Sequence, residues 1–293
     1  MDDRTGGVIK GASVAARANG TSVHKIGAPR QWTIELGEIW DCRALMLLLA
    51  WRSIRVRYKQ TIVGFLWAVI GPVGFTLMFA LFFSLVPVRP SDDLPYVPTA
   101  FAGLMLWQFF SRGVTDAGVS LTANANLITK IYFPRVILPL AAAISSVMEL
   151  VITSFLLVGL LVWYGVPVGA QILFAPLFVV QVFILVVAFS LWLSAIDGLF
   201  RDLRHALPLL LQFGMFISPV AYTTNALIPG KWQWLYKLNP MVAPIEGFRA
   251  SVFPGANGVS GMDILISIFV TGVIFVLGAV FFARVERKIV DLV

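Results

Sequence analysis

The stretch ILFAPLFVVQVFILVVAFSLWLSAI, residues 172–196, contains no charged side chain and decides the class of fold. At about 1.5 Å per residue, a helix of this length crosses a hydrocarbon layer roughly 30 Å thick. Backbone amides inside lipid must be satisfied within their own segment, so the stretch is predicted to be a transmembrane helix. Five further long apolar segments accompany it: residues 63–86, 99–118, 136–163, 206–224 and 261–283. The six segments together predict an all-α integral membrane protein with six transmembrane helices.

The composition of the whole chain agrees with this class. Hydrophobic residues make up 59% of the 293 residues and charged residues only 13%, which is unusual for a soluble domain. The single cysteine, Cys42, excludes an internal disulfide framework and a cysteine metal site. We therefore expect no metal site and no cofactor on this chain.

The 22 lysines and arginines are distributed unequally between the two sides of the predicted spans. Seventeen precede the first span or lie in the second loop, the fourth loop and the C-terminal tail, whereas four lie in the alternate loops. Cytoplasmic loops carry the excess of Lys and Arg, so both termini are predicted to be cytoplasmic. The same placement accounts for the net charge of +7 without a nucleic-acid partner.

Three regions are predicted along the chain. Residues 1–30 are rich in Gly, Ala, Ser and charge, lack the apolar core of a signal peptide, and are interpreted as a disordered cytoplasmic leader. Residues 31–62 are predicted to form an amphipathic segment at the membrane interface. Residues 63–293 form the six-span transmembrane domain, including two re-entrant outer helices before the last span.

The segment WRSIRVRYK, residues 51–59, is the most basic part of the chain outside the leader. On a helix its aromatic residues share one face and most of its cations another, as in a helix lying in the headgroup layer. Two interpretations remain open: a plain topology anchor, or a set of cations that meets an anionic substrate headgroup. The candidate headgroup-binding residues are Arg52, Arg55, Arg57, Tyr58 and Lys59.

Aromatic side chains recur at helical spacing in the first and fifth spans. They are either bulk that faces lipid or the wall of a conduit along which a ring-shaped substrate slides between two copies of the chain. Sugar rings have apolar faces that rest on aromatic rings, so the second interpretation favours a polysaccharide. The candidate residues of the translocation path are Phe75, Phe79, Phe82, Phe83, Phe213, Phe216 and Tyr222.

Charges inside the spans are few. Arg112 and Asp116 are four residues apart near the end of the second span, which predicts a structural ion pair. Glu149 lies inside the third span, where it either pairs with Arg112 across the bundle or faces a wet cavity.

The loop LTANANLITKIYFPR, residues 121–135, is predicted to be a short cytoplasmic helix that ends before Pro134. We expect Ile131, Tyr132 and Phe133 to be exposed there and to dock on a soluble subunit, with an ordinary connector as the alternative. The candidate coupling residues are Asn124, Asn126, Lys130, Tyr132, Phe133 and Arg135.

Residues 225–258 form the longest segment on the opposite side and are too apolar for a flexible loop. They are predicted to form two short helices, broken at Asn239–Pro240, that dip into the outer leaflet, where Trp and Tyr are favoured. The candidate residues of this outer gate are Trp232, Trp234, Tyr236, Asn239 and Pro240.

The chain contains no GxxxxGK[ST] phosphate loop, so it is not expected to hydrolyse ATP by that chemistry. Nor does any arrangement of Ser, His and Asp indicate an enzyme. If transport is active, its energy comes from another subunit or from an ion gradient.

Several motifs, in this order, resemble those of type-2 ABC exporter permeases, above all the membrane subunits that export O-antigen, capsule or teichoic-acid polysaccharides. The resemblance extends over residues 31–293, although the tail lacks the Phe-Ala-Asp that usually follows Glu-Arg. The motifs are RSIRVRYKQT (52–61), NANLITK (124–130), YFPR (132–135), RD (201–202), SPV (218–220), NPM (239–241) and ER (286–287).

The resemblance implies a bacterial inner-membrane homodimer with two copies of a separate ATP-binding subunit, which holds ATP and Mg²⁺. It also implies that the segment before the first span gates the cytoplasmic entrance, that residues 124–135 carry the coupling helix, and that residues 225–258 are re-entrant. The substrate would be a glycan on a polyprenyl-diphosphate lipid, whose diphosphate meets the basic segment.

Three other functions remain open. The first is a membrane scaffold that transports nothing, which only the motif matches argue against. The other two are transport functions. One is an ABC exporter of a drug or a small lipid. The other is an ion-coupled carrier, which predicts buried titratable residues and internal repeats; the sequence offers only Glu149 and no repeat.

Overall fold

The computed structural model describes residues 36–59, 64–85, 94–131, 133–200, 202–224, 228–256 and 258–290. These residues form helices and connecting turns, and no strand occurs among them. The predicted leader, residues 1–30, lies outside the described residues. In chain order the described helices are α1 (Leu36–Asp41), α2 (Arg43–Lys59), α3 (Gly64–Leu85), α4 (Tyr96–Gly118), α5 (Ser120–Ala123), α6 (Ala125–Ile128), α7 (Ile137–Trp163), α8 (Ala175–Leu199), α9 (Leu203–Ile217), α10 (Gly230–Tyr236), α11 (Val242–Val252) and α12 (Gly261–Val290).

All six apolar segments predicted from the sequence are helical over most of their length. Within the described residues, three helical stretches are long and apolar enough to cross a membrane: Ile137–Trp163, Ala170–Leu199 and Gly261–Glu286. The second begins with a 3₁₀ turn, Ala170–Phe174, that leads directly into α8. The all-α membrane class is therefore confirmed, while the count of six spans stays a prediction.

The predicted fifth span, residues 206–224, is wrong at its C-terminal end. Helix α9 stops at Ile217, because Ser218 adopts an extended conformation (ψ 152°) and Pro219 follows it. The fifteen residues of α9 make a helix about 22 Å long, and residues 218–224 turn back across the end of the bundle.

Helix α4 occupies the centre of the bundle. Sixteen of its 23 residues are buried, including Phe101, Leu104 and Phe109, which are at most 1% exposed. It packs against α3, α7, α8 and α11. A helix enclosed in this way has no lipid-facing stripe, so its sequence can carry small and polar residues that lower its hydropathy.

Helices α8 and α12 form the most extensive pairing and are joined by polar contacts. Gln181 Nε2 donates a hydrogen bond of 2.7 Å to Ser267 Oγ, and Trp192 Nε1 donates one of 3.0 Å to the carbonyl of Ile274. The indole of Trp192 also lies close to Gly278, where a Cβ would approach its Cδ1 to 2.7 Å. A small residue and interhelical hydrogen bonds are the usual means of holding helices together in lipid.

The outer segment confirms the predicted break. Two short helices, α10 and α11, lie on either side of Asn239–Pro240, and the Asn239 side chain accepts a hydrogen bond of 3.0 Å from the amide of Met241. Lys237 Nζ lies 2.9 Å from Asp263 Oδ2 and joins this segment to the first turn of α12.

The close approach of α4, α7 and α8 gives a test of this packing. A Cβ at Gly113 would lie 2.5 Å from a methyl group of Val186 and 2.8 Å from Ser146 Oγ, whereas one at Gly159 meets nothing within 4 Å. Gly113→Ala is expected to cost about 1–3 kcal/mol by overpacking, although alanine is the better helix former by about 1 kcal/mol. Gly159→Ala is the matched control and should be neutral or stabilising. Thermal unfolding of the purified protein in detergent measures both, and equal midpoints would contradict the packing described here.

Candidate functional site

A cavity of about 340 Å³ lies at the end of the bundle where α4 ends and α7 begins. Its walls come from α2, α4, α5 and α7, and it is large enough to hold a small ligand or a headgroup. We call it the basic cavity because two arginines line it. Its polar lining residues are Arg52, Ser53, Arg57, Asp116, Ser120, Asn124 and Ser145.

Four charged side chains from three helices form a network beside the basic cavity. Arg57 of α2 forms an ion pair with Asp116 of α4. Arg112 Nε lies 3.4 Å from Asp116 Oδ2 and 3.8 Å from Glu149 Oε2. The predicted Arg112–Asp116 pair is confirmed, and Glu149 lies beside Arg112. Two cations thus face two carboxylates, which lowers the cost of burying charge here.

The orientation of Arg57 leaves part of its guanidinium available. Its Nη1 is buried and has no hydrogen-bond partner among the described residues, although the group lines the basic cavity. An unsatisfied charged donor is costly when buried, so this nitrogen is an unpaid cost of the present position of Arg57.

The predicted headgroup residues divide into two groups. Arg52 and Arg57 line the basic cavity, whereas Arg55 is exposed and its guanidinium carbon lies 6.0 Å from the centre of the Trp51 ring. The backbone of Tyr58 and Lys59 belongs to α2, but their side chains lie outside the described part of the structure. The structure therefore brings together two of the five predicted residues.

The connection between α4 and α7 is made of two single-turn helices, α5 and α6, in place of one short helix. Asn126, Lys130 and Ile131 are exposed, with Ile131 at 55%. Asn124 turns inward, where its Nδ2 donates a hydrogen bond of 2.9 Å to the carbonyl of Ser120. The expectation of an exposed Phe133 is wrong: its side chain is only 7% exposed. Tyr132 lies outside the described residues.

Phe133 is buried because the chain turns back at this point towards the last helix. It belongs to a cluster of buried residues that also contains Leu49, Ile137 and Phe282. Beside this cluster the Arg135 Nη1 donates a hydrogen bond of 2.5 Å to the carbonyl of Glu286, and the Arg135 amide donates one of 3.3 Å to Glu286 Oε1. Arg135 thus fixes the connection to α12.

Six of the seven predicted path residues lie on two neighbouring helices, and Tyr222 lies in the turn after α9. Phe79 of α3 is buried, with its ring centre 6.3 Å from that of Phe216 of α9 in an edge-to-face arrangement. Phe75, Phe82 and Phe213 are between 40% and 57% exposed. The side chain of Phe83 lies outside the described residues. The structure therefore places an exposed aromatic surface along α3 and α9.

The outer-gate residues also fall into two groups. Trp232 and Trp234 are exposed, whereas the Tyr236 hydroxyl lies 3.1 Å from that of Tyr222 and joins the outer segment to the end of α9. Asn239 Nδ2 donates a hydrogen bond of 3.0 Å to Ser218 Oγ. Pro240 is half-buried, and its carbonyl accepts a hydrogen bond of 2.9 Å from Ser267 Oγ.

Arg249 of α11 is a buried cation for which the sequence analysis predicted no role. Its guanidinium, 3% exposed, donates to the carbonyls of Thr99, Pro219, Val220 and Tyr222. Its Nε lies 3.0 Å from the carbonyl oxygen of Thr99, and its Nη1 lies 2.7 Å and 2.8 Å from those of Pro219 and Tyr222. A single side chain therefore joins the start of α4, the turn after α9 and the outer segment.

Asp197 is a second residue that sequence reasoning missed. It is 1% exposed and binds both Thr122 of α5 and Arg204 of α9. Its sequence signal is a lone carboxylate at the end of an otherwise uncharged apolar segment, which in lipid or protein interior requires a partner.

Comparison with known proteins agrees with this architecture. The chain is 26% identical to the O-antigen export system permease protein RfbA of Klebsiella pneumoniae over 259 residues, which covers 88% of this chain and 96% of that protein. It is 29% identical to the protein of the same name from Myxococcus xanthus over 215 residues, covering 73% and 82%. It is 24% identical to the polysialic acid transport protein KpsM of Escherichia coli over 230 residues, covering 75% and 87%.

Residues 44–253 match the ABC-2 type transporter family, so the chain belongs to that family. The matched region begins at the start of α2 and ends just after α11. It therefore contains the basic cavity, the connection between α4 and α7, and the outer segment. The predicted resemblance to type-2 ABC exporter permeases is confirmed.

The ion pair between Arg57 and Asp116 should be energetically coupled. In a double-mutant cycle, Arg57→Gln and Asp116→Asn are expected to show a coupling energy of about 1–3 kcal/mol, because the two charges are in contact and partly buried. Arg55→Gln with Asp116→Asn is the matched control, since Arg55 is exposed on the same helix, and should be additive within about 0.5 kcal/mol. Thermal unfolding of the four variants of each cycle gives both values. Equal coupling in the two cycles would show that the pair does not hold α2 on α4.

Proposed function

We propose that this chain is the permease subunit of an ATP-driven ABC exporter that moves a polyprenyl-diphosphate-linked polysaccharide, resembling O-antigen, across the bacterial inner membrane. Transport runs from the cytoplasmic side outward. ATP and Mg²⁺ are bound and used by a separate ATP-binding subunit, present in two copies, and not by this chain. Two copies of the permease form the transport unit.

The observation that carries this proposal is the similarity to O-antigen export permeases over 88% of the chain. The aligned relatives include proteins named for export of three polysaccharide classes: O-antigen, polysialic acid and capsule polysaccharide.

The basic cavity supports a lipid diphosphate as the recognised part of the substrate. Arg52 and Arg57 line it, and one nitrogen of Arg57 is left without a partner among the described residues. Arginine binds phosphate oxygens through a planar set of donors, and charge-assisted hydrogen bonds are about twice as strong as neutral ones. Arg55, which is exposed on α2, and Lys59, the last residue of that helix, are proposed to attract the same anion at the entrance.

The membrane topology follows from the three long apolar helices together with α3, α4 and α9. We propose that all six cross the bilayer with both termini in the cytoplasm, and that α10 and α11 are re-entrant from the outer side. The basic cavity then lies at the cytoplasmic surface, at the lipid headgroup level. This places α1 and α2 at the interface, where α2 gates the entrance.

The aromatic surface of α3 and α9 is proposed to line the conduit between the two copies. Phe75, Phe82, Phe213 and Phe216 are exposed on one chain. An apolar aromatic wall lets sugar rings slide without strong binding at any single position. The contact between Phe79 and Phe216 keeps the two helices of this wall together.

Reconstitution with the ATP-binding subunit tests the proposal directly. In proteoliposomes containing a polyprenyl-diphosphate-linked polysaccharide, we expect ATP to move the glycan across the membrane, where an added glycosidase or lectin detects it. We also expect this lipid to stimulate ATP hydrolysis. Transport of small lipids or drugs with no response to the glycan lipid would refute the substrate class.

In the same assay the arginines of α2 should control substrate sensing. Arg52→Gln with Arg55→Gln is expected to raise the half-maximal concentration of the glycan lipid about tenfold or more, since each charge-assisted hydrogen bond contributes about 1.5–3 kcal/mol. Basal ATP hydrolysis should fall much less. The control is Arg284→Gln, which removes an exposed cation of α12. Undiminished stimulation in a correctly inserted double variant would remove these arginines from the substrate path.

The exposed part of the connection between α4 and α7 should form the docking site of the ATP-binding subunit. Ile131→Ala with Lys130→Ala is expected to weaken co-purification of the two subunits, because both side chains are exposed there. Val168→Ala, which shortens an exposed apolar side chain in the connection after α7, is the matched control. Phe133 is unsuitable for this test because its burial would confound docking with stability. Full affinity of the double variant would place docking elsewhere.

A further inference from the structure

A buried carboxylate joins the connection between α4 and α7 to the start of α9. Thr122 Oγ1 of α5 donates a hydrogen bond of 2.6 Å to Asp197 Oδ2. Arg204 of α9 approaches the same carboxylate with two nitrogens, Nε at 2.8 Å from Oδ1 and Nη2 at 3.2 Å from Oδ2. Asp197 is 1% exposed, while the Arg204 side chain is 40% exposed. We call these three residues the Asp197 junction.

Helix stability does not account for the Asp197 junction. Asp197 lies in the last turn of α8, where the helix dipole disfavours a negative charge, and Arg204 lies in the first turn of α9, where it disfavours a positive one. Each charge is therefore at the wrong end of its own helix. Burial adds a further cost for the carboxylate. The favourable interaction that offsets these costs is the ion pair between Asp197 and Arg204, which joins α8 to α9.

The Asp197 junction connects one fixed element to two peripheral ones. Helix α8 is fixed, because it packs against α4, α12 and α11. Helix α5 is a single turn in the connection that we propose as the docking region, and α9 carries Phe213 and Phe216 of the proposed conduit. Among the described residues, Asp197 is thus the side chain that forms hydrogen bonds with both α5 and α9.

We propose that Asp197 is a positioning residue that transmits displacement of the 120–135 segment to α9 and so couples ATP hydrolysis to opening of the conduit. This inference rests on the proposed function, since it requires an ATP-binding subunit that acts on the segment. When α5 moves, the Asp197 carboxylate either loses its hydrogen bond from the Thr122 hydroxyl or moves together with that hydroxyl. Either change alters the bond to Arg204, whose partial exposure allows its guanidinium to be solvated when released.

Because a buried carboxylate left with fewer partners is strongly destabilised, the bonds from Thr122 and Arg204 depend on each other. The structure shows the arrangement in which Arg204 is bound. In the proposed second arrangement Arg204 is solvated and the Asp197 carboxylate moves with α5. An element with two arrangements, each favoured by a different position of α5, is what energetic coupling between distant sites requires.

The test separates coupling from folding by measuring glycan transported per ATP hydrolysed. Thr122→Val keeps the shape of the side chain and removes the hydroxyl, and Asp197→Asn keeps the shape and removes the charge. Each is expected to lower this ratio about tenfold, as loss of one charge-assisted hydrogen bond implies. The double variant should be no worse than Asp197→Asn alone. ATP hydrolysis itself should persist, because neither residue contacts the proposed docking surface.

The matched control is Thr271→Val of α12, outside the proposed docking region. The Thr271 hydroxyl donates a hydrogen bond of 2.7 Å to the carbonyl of Ser267, within its own helix. Its removal should leave the transport-to-ATP ratio unchanged. A wild-type ratio in Thr122→Val, or an equal fall in Thr271→Val, would overturn the proposal, as would additive losses in the double variant.

A structural readout completes the test. With Cys42→Ser as background, spin labels at Leu209→Cys of α9 and Phe269→Cys of α12 report the distance between two exposed sites. Trapping the ATP-binding subunit with vanadate should change this distance in the background protein and not in Thr122→Val. An unaltered response in Thr122→Val would show that motion reaches α9 by another route.

If the background protein itself transports no glycan, the proposed function fails, whereas transport with an intact ratio in the variants refutes only the role of Asp197.

Discussion

The enclosure of α4 by other helices is the constraint on which the rest of the structure depends. With sixteen residues buried, this helix touches protein on nearly every side, so its neighbours α3, α7, α8 and α11 are arranged around it. Many of the exposed large hydrophobic side chains of the described bundle lie instead on the surrounding helices α3, α7, α8, α9 and α12. Arg112 and Asp116 lie towards the end of this helix, where the exposed Arg112 side chain is paired with Asp116 and lies beside Glu149.

Charge is concentrated at the loop end of this bundle, where α4 ends. One network of charges connects α2, α4 and α7 and consists of Arg57, Asp116, Arg112 and Glu149. The Asp197 junction connects α5, α8 and α9. The two groups have different surroundings. The first borders an open cavity and is suited to an exchangeable anion, whereas the second surrounds a carboxylate closed off from solvent and is suited to holding helices in register.

Much of this architecture follows from local patterns in the sequence. Length and hydropathy placed every long helix, and Asn239–Pro240 placed the break between α10 and α11, because Pro and Asn act within one or two residues. The end of α9 at Ile217 was missed because the residues after it remain apolar while Ser218–Pro219 already turns the chain. Phe133 was expected to be exposed since its burial depends on residues such as Phe282, about 150 positions away. Asp197 and Arg57 found partners that only the tertiary fold brings near.

The buried guanidinium of Arg249 has a consequence for the order in which the protein assembles. A permanently charged side chain cannot enter an apolar environment alone, and its acceptors are carbonyls of Thr99, Pro219, Val220 and Tyr222. Those carbonyls belong to the start of α4 and to the turn after α9, both synthesised before α11. The Arg249 side chain can therefore be buried only when the start of α4 and the turn after α9 are in place to accept its hydrogen bonds, and both have been synthesised by the time α11 emerges.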